Sequence, residues 1–452
     1  MKYKLIILSI LMVAIATDSV FAQRHKKKRG RSAAKTEVRP LDLHLEQSAV
    51  FNKSFTGFAL YDPVKNQMLY EYNAGKYFTP ASNTKLFTFY TSLRILGDSI
   101  PALQYSRQGD LLVFWGTGDP SFLHPGLVQS PGLFDFLKNS DAELLFCPAN
   151  FKDKRYGAGW MWSDYPYYYQ AEKSPFPVYG NAAHFQRDSS SRGIEVVPSF
   201  LKKNLHPGPV FDPEDIVGRM EFDNSYTYDS SSVKGDEFEL HVPFRYSPAF
   251  LAEVLSDTLG RAVHVLTADM LPPSNAHTLY SLPADSLYWL MLQQSDNFIA
   301  EQLLLLCSWE KFGVMNTEQI IDYSTKYLLN DLPDEPQWVD GSGLSRYNLF
   351  TPRDIVRLLE KIYQIVPRER LFSLFPAGGV SGTIEEDYTN GTQPYVFAKT
   401  GTLRNNHCLS GYLLTKSGKV FIFSFMHNNF TNGTTPIKRE MEKVLKKVRD
   451  RF

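Results

Sequence analysis

The helical pattern of this chain is interrupted, and the interruption limits the folds open to it. Leu86, Phe87, Phe89, Tyr90, Leu93 and Ile95 recur at helical spacing between Ser82 and Gly97. The pattern returns at DSLYWLMLQQ (285–294) and FIAEQLLLLCSWEKFG (298–313), and once more in LFTPRDIVRLLEKIYQIV. Between these stretches, residues 98–269 carry short apolar runs, many aromatics and frequent turns, as in LLVFWGTGDPS, MWSDYPYYYQ and DSSSRG. Strand patterns sit near the two ends of the chain. FTGFALYD and QMLYEYN flank the turn DPVKN, and VFAKTGTL, HCLSGYLLT and KVFIFSFMHN precede a closing helix in PIKREMEKVLKKVRDRF. LDLHLEQSAVF (41–51) reads as a short helix. The expectation is an α/β (α+β) chain in which residues 40–97 and 270–452 build one domain, an antiparallel sheet flanked by helices. Residues 98–269 form a strand-rich inserted region of two small lobes.

A chain of 452 residues, 43% hydrophobic and 14% aromatic, has ample material for such a core. Its 48 basic residues balance 48 acidic ones, so net charge gives no reason to expect nucleic acid as a partner. The N-terminus departs from that balance. MKYKLIILSILMVAIATDSVFAQ has a two-lysine head, an apolar run from Leu5 to Ala16, and small residues at Val20 and Ala22. It reads as a secretory signal peptide over residues 1–22, because the apolar run is shorter than the ~20 residues that span a bilayer. The protein is therefore expected to be exported, periplasmic or associated with the cell envelope. Residues 23–39 form a basic flexible linker containing RHKKKRGR (24–31). That run is either a solvated tether or a weak electrostatic hold on an anionic envelope surface. Cys147, Cys307 and Cys408 allow at most one disulfide, and buried thiols are the simpler expectation. With no HExxH and no paired CxxC, neither a metal nor a cofactor is expected.

Ser82 opens a predicted helix three residues before Lys85. Positions i and i+3 share a helix face with Cβ atoms about 5–6 Å apart, so the amine can reach the hydroxyl. The spacing by itself decides little, since it recurs at Ser32/Lys35, Ser199/Lys202, Ser231/Lys234 and Ser308/Lys311. The first of these lies in the linker, the next two in the insert without a following apolar face, and the last at the polar end of a helix. Ser82 is set apart by two further motifs later in the chain: Ser295-x-Asn297 in a loop between helices, then Lys399-Thr400-Gly401 on a strand. A serine hydroxyl attacks only when an adjacent base takes its proton, and Lys85 serves once burial or nearby positive charge lowers its pKa. Lys399 offers such a charge. The N–H groups of Ser82 and Thr402 are suited to a developing oxyanion, where one donor contributes about 3 kcal/mol. Ser295 can pass a proton toward a leaving amine, and the Asn297 amide can hold the substrate's own amide. Lys399, Thr400 and Thr402 suit a terminal carboxylate.

This ordered set resembles that of penicillin-binding proteins and serine β-lactamases. TGFALYDPVKNQMLYEYNAGKYFTPASNTKLFT, GTGDPS, DGSGLSRYNLFTPRDIVRLL, GVSGTI and AKTGTL narrow the resemblance. They are similar to the D-Ala-D-Ala carboxypeptidase/endopeptidase family, the class C low-molecular-mass penicillin-binding proteins of PBP4 type (peptidase family S13), over residues 40–430. The resemblance implies a β-lactamase/transpeptidase-like domain carrying a large insert between the first two motifs. It implies an acyl-enzyme on Ser82, with Lys85 as base, Ser295 and Asn297 as second motif, Lys399 as third, and Thr400, Gly401 and Thr402 binding substrate. The implied partners are peptidoglycan stem peptides and, as covalent inhibitors, β-lactam antibiotics. Arg404 to His407 are bulkier and more polar than such a motif usually carries, and the tyrosines at 165–169 are unusual; both bear on substrate preference. Asp119 and Asp340 read as loop-shaping carboxylates, and His407 as a residue near the third motif that can simply face solvent. A serine β-lactamase and a non-catalytic envelope-binding protein of the same fold are the competing readings. The first must hydrolyse its acyl-enzyme quickly, and the second has no use for an intact Ser82, Lys85, Asn297 and Lys399.

Overall fold

The structure, a computed structural model, describes residues 41, 43–129, 131–187, 193–210, 215–229, 237–389, 391 and 393–452. The expected signal peptide and basic linker, and the Ser32/Lys35 and Ser231/Lys234 pairs, lie outside the described residues. Strands from two distant parts of the sequence, residues 55–72 and 396–428, meet in one five-stranded sheet. Its order is Val396–Leu403, Asn406–Leu414, Val420–Asn428, Phe55–Asp62, Gln67–Tyr72, and every neighbouring pair is antiparallel. Val420–Asn428, in the middle, is buried along its whole length, as a strand covered on both faces must be. Successive side chains alternate between those faces. Ile422 and Met426 join the core beneath the helices, while Phe425 stacks near Phe51 and Phe58, and Phe421 meets the C-terminal Phe452.

The helices arise where the periodicity puts them. Lys85–Ile95 packs on Asn297–Phe312, and Pro352–Ile365 packs across the two central strands. Asn297–Phe312 begins where the Asp296 carboxylate accepts the Ile299 N–H at 2.9 Å and ends at Gly313, whose φ of 73° suits glycine. Ala284–Gln293 and Thr435–Arg451 complete the expected set. The stretch at 41–51 departs from expectation: it makes two single turns, Leu45–Gln47 and Phe51–Lys53, instead of a helix.

Asp42–Phe452 forms one compact unit, within which two large apolar cores are separable. One is built from residues between Ala59 and Ile100 and between Ala284 and Met426; the other from residues between Ala102 and Val263. Among the described residues, the strands of the inserted sequence make three sheets around that second core. The insert differs from its expected form in also containing the helices Pro131–Lys138 and Pro248–Leu259. Its five-stranded sheet also recruits His277–Pro283, which pairs with Ser99–Gln108, so the sheet extends past residue 269. All three cysteines are buried free thiols.

Candidate active site

Ser82 lies in a tight turn, Ala81–Thr84, that runs directly into Lys85–Ile95. The helix proper thus begins three residues later than the periodicity suggests, and no side chain caps it. The turn is clamped against the edge strand Val396–Leu403, where the buried Asn83 amide donates to the Lys399 carbonyl at 2.9 Å. Gly401 completes the clamp. A Cβ there would stand 2.4 Å from the Pro80 carbonyl oxygen and 3.0 Å from the Ser82 nitrogen. Because both obstacles are backbone, Gly401→Ala is expected to push strand and turn apart, costing about 1–3 kcal/mol of stability. Its reaction with a fluorescent penicillin should slow in parallel; unchanged stability and labelling would show that the clamp is loose.

Lys85 is fully buried. Its ammonium donates to Ser82 Oγ at 3.0 Å, Asn297 Oδ1 at 2.6 Å and the Ser342 carbonyl at 2.8 Å, so each of its three protons has an acceptor. Burial lowers its pKa from 10.5 to about 8, against the opposing pull of Asp296, Asp340 and Glu301. Lys399 is also buried, bonding Ser295 Oγ at 2.8 Å and the Thr400 carbonyl at 2.9 Å. Burial, and then the charge of Lys85, hold it well below the ordinary lysine value. Positive charge from Lys399, expected to tune Lys85, is not among the causes at Lys85, which burial lowers against the pull of three carboxylates; it is the charge of Lys85 that acts on Lys399.

Ser295 reaches Lys399 from a left-handed backbone, φ 59°, which is unusual for serine and fixes the turn between two helices. Asn297 is held at both ends. While its oxygen accepts from Lys85, its Nδ2 donates to the Tyr169 carbonyl at 2.9 Å, leaving one N–H for any ligand. The tyrosine-rich insert thereby touches the second motif directly. Thr400 Oγ1 donates to Thr383 Oγ1 at 2.7 Å, from the GVSGTI stretch. Ser82, Ser295, Asn297, Thr383, Thr400 and Thr402 all line one cavity of about 1020 Å³, whose other walls include Tyr168, Tyr169, Arg346 and Arg404. A second cavity, of about 520 Å³ near Arg155, Phe200 and Tyr246, holds none of these residues.

The loop carrying DGSGLS has the role expected of Asp340 and one that was not foreseen. Asp340 accepts from Gly343 N, Ser345 N, Asn348 Nδ2 and Trp160 Nε1 at 2.7–2.9 Å, which folds the loop so that Ser342 turns its carbonyl to Lys85. From the other side the buried Glu301 accepts the Ser342 N–H at 2.7 Å. Asp119 likewise shapes its own loop through Ser121 and Ser281, and burial raises its pKa to about 6. His407 does not face solvent: it is 1% exposed and paired with Thr402 across neighbouring strands. Of the two described alternative pairs, Ser199 lies in a turn against Asp257. Ser308 is buried and bonded to Val314 and Asn316, while the exposed Lys311 lies over the Tyr323 ring. Among the described residues, no group of His, Cys, Asp or Glu could hold a metal ion, and no helix is long and apolar enough to cross a membrane.

The model of the D-Ala-D-Ala carboxypeptidase 3 (S13) family matches residues 38–201 and 248–449. D-alanyl-D-alanine carboxypeptidase DacB of Haemophilus influenzae is 24% identical over 84% of this chain and 86% of its own length. The D-alanyl-D-alanine carboxypeptidase of Actinomadura sp. (strain R39) is 25% identical over 89% of this chain and 82% of its own. The crystal structure of penicillin binding protein 4 (dacB) from Haemophilus influenzae superposes with a TM-score of 0.71, covering 88% of this chain and 97% of that one at 21% identity. It shares the fold.

Proposed function

Because the chain belongs to the D-Ala-D-Ala carboxypeptidase 3 (S13) family, we propose that it is a serine DD-peptidase that hydrolyses D-Ala-D-Ala termini, D-Ala cross-links of peptidoglycan, or both. The observation that carries this reading is the Lys85 amine 3.0 Å from Ser82 Oγ and 2.6 Å from Asn297 Oδ1, with Ser82 and Asn297 lining the cavity that also receives Ser295 and Thr402. Neutral Lys85 takes the Ser82 proton as Oγ bonds to the carbonyl carbon of the penultimate D-Ala. The C–N bond breaks as the leaving amine takes a proton by way of Ser295, and water then hydrolyses the ester. Lys399 and Thr402 hold the terminal carboxylate, and a β-lactam acylates the same serine. Release of D-Ala from a stem pentapeptide by the purified protein tests the reading; slow loss of bound penicillin separates it from a β-lactamase.

A base must be neutral to act. With the Lys85 pKa lowered to about 8, the acylation rate should rise about tenfold per pH unit below that value and level off above it. The second-order rate of reaction with penicillin, followed across pH, checks this. A flat profile from about pH 6 to 9 would contradict Lys85 as the base.

The reading extends to location. Residues 1–22 direct export, and the RHKKKRGR run holds the mature protein weakly to anionic envelope. A protein starting at Gln23 should sediment with cell envelopes at low salt more than one starting at Thr36. The difference should vanish at high salt, since exposed charges are screened beyond about 8 Å even at physiological ionic strength. Equal sedimentation at low salt would reduce the run to a solvated linker.

A further inference from the structure

Resting on the peptidase reading, we propose that the buried His407 is a positioning residue: it donates its Nδ1–H to Thr402, freeing the Thr402 hydroxyl proton for a substrate's terminal carboxylate. It thereby favours substrates with a free C-terminus over those whose terminal carbonyl is amidated. Thr402 and His407 face each other across two antiparallel strands, with Thr402 Oγ1 2.9 Å from His407 Nδ1. Both residues line the cavity, Thr402 exposed to it and His407 only 1% exposed at its wall. The other ring nitrogen, Nε2, is buried and has no hydrogen-bond partner among the described residues.

That orphan nitrogen decides the tautomer. A neutral imidazole carries one proton, and which nitrogen keeps it is set by the bond that the other makes. A proton on Nε2 would be a buried donor with no acceptor, the rarer and costlier defect; a bare Nε2 lone pair is better tolerated. A second proton is opposed by burial and by the positive Lys438, with His427 adding to the effect and only Asp387 pulling the other way. Asp387 is itself bonded to Lys438 at 2.8 Å. The proton therefore sits on Nδ1 and points at Thr402 Oγ1. A hydroxyl that accepts from one side offers its own proton on the other, here into the cavity. Thr400, the neighbouring hydroxyl on the strand, already donates to Thr383. Thr402 is thus the hydroxyl of this motif with a proton in hand for a carboxylate, and a carboxylate accepts it as a charge-assisted bond. A terminal amide gains less from that donor.

The test joins a tautomer measurement to a substrate comparison. In protein carrying ¹⁵N-histidine, the His407 signal, identified by its loss in His407→Asn, should show Nδ1 protonated and Nε2 bare; an Nε2–H tautomer overturns the proposal. For His407→Phe, kcat/KM on a peptide ending in free D-Ala-D-Ala should fall about tenfold, mainly through KM, with less than about a twofold change on its C-terminal amide. His407→Asn, which restores an N–H donor, should recover most of that loss. Equal losses on acid and amide, or an Asn variant no better than Phe, would make His407 a packing residue only. Should the wild type cleave neither peptide, the peptidase reading falls and the selectivity with it, while the tautomer still reports on the Thr402 contact.

Discussion

Ser82→Ala is expected to lower peptide turnover by about 10⁶-fold, the scale on which removal of a nucleophilic serine acts, while the protein stays folded. The hydroxyl makes one hydrogen bond, from Lys85, and caps no helix, so its removal costs roughly 1 kcal/mol of stability. Lys85 keeps its bonds to Asn297 and Ser342. Thermal unfolding and far-ultraviolet dichroism should therefore be close to wild type. A folded variant that retained a tenth of the activity would remove Ser82 from the chemistry.

Lys399→Ala carries the second large effect, and its ratio between substrates matters more than its size. A buried ammonium that meets a carboxylate contributes far more than an exposed one, so activity on a free-acid peptide should fall roughly 10²–10³-fold. On the same peptide amidated at its C-terminus the loss should be nearer tenfold, reflecting the lost bond to Ser295. An equal loss on both peptides would shift Lys399 from gripping the carboxylate to general electrostatics.

The parts of this site readable in the sequence are those where side chains carry the chemistry over short spacings. Ser82 and Lys85 share a helical turn, and Ser295 and Asn297 fill a break between two apolar periodicities. What was hidden is mostly backbone. The Ser342 and Tyr169 carbonyls that orient Lys85 and Asn297 have no residue signature, because any amino acid can supply a carbonyl. His407 escaped for another reason. It lies on a strand covered on both faces, where alternation no longer separates inside from outside. The helix Pro248–Leu259 was, by contrast, legible. Ser247 caps it, proline begins it, Gly260 ends it, and Leu251, Val254, Leu255 and Leu259 repeat at helical spacing, a pattern masked only by the aromatic, turn-rich texture around it. His277–Pro283 leaves no strand signal in the sequence because it is a half-exposed sheet edge with no continuous apolar run.

Every step of the mechanism depends on the turn at the head of Lys85–Ile95 presenting an activated serine. Mass spectrometry of the intact wild-type protein after brief exposure to a penicillin, with peptide mapping of any adduct, tests this most directly. One added penicillin per chain is expected, carried by the peptide containing Ser82 and absent from Ser82→Ala. An adduct on another serine, or no adduct on well-folded protein, would contradict it.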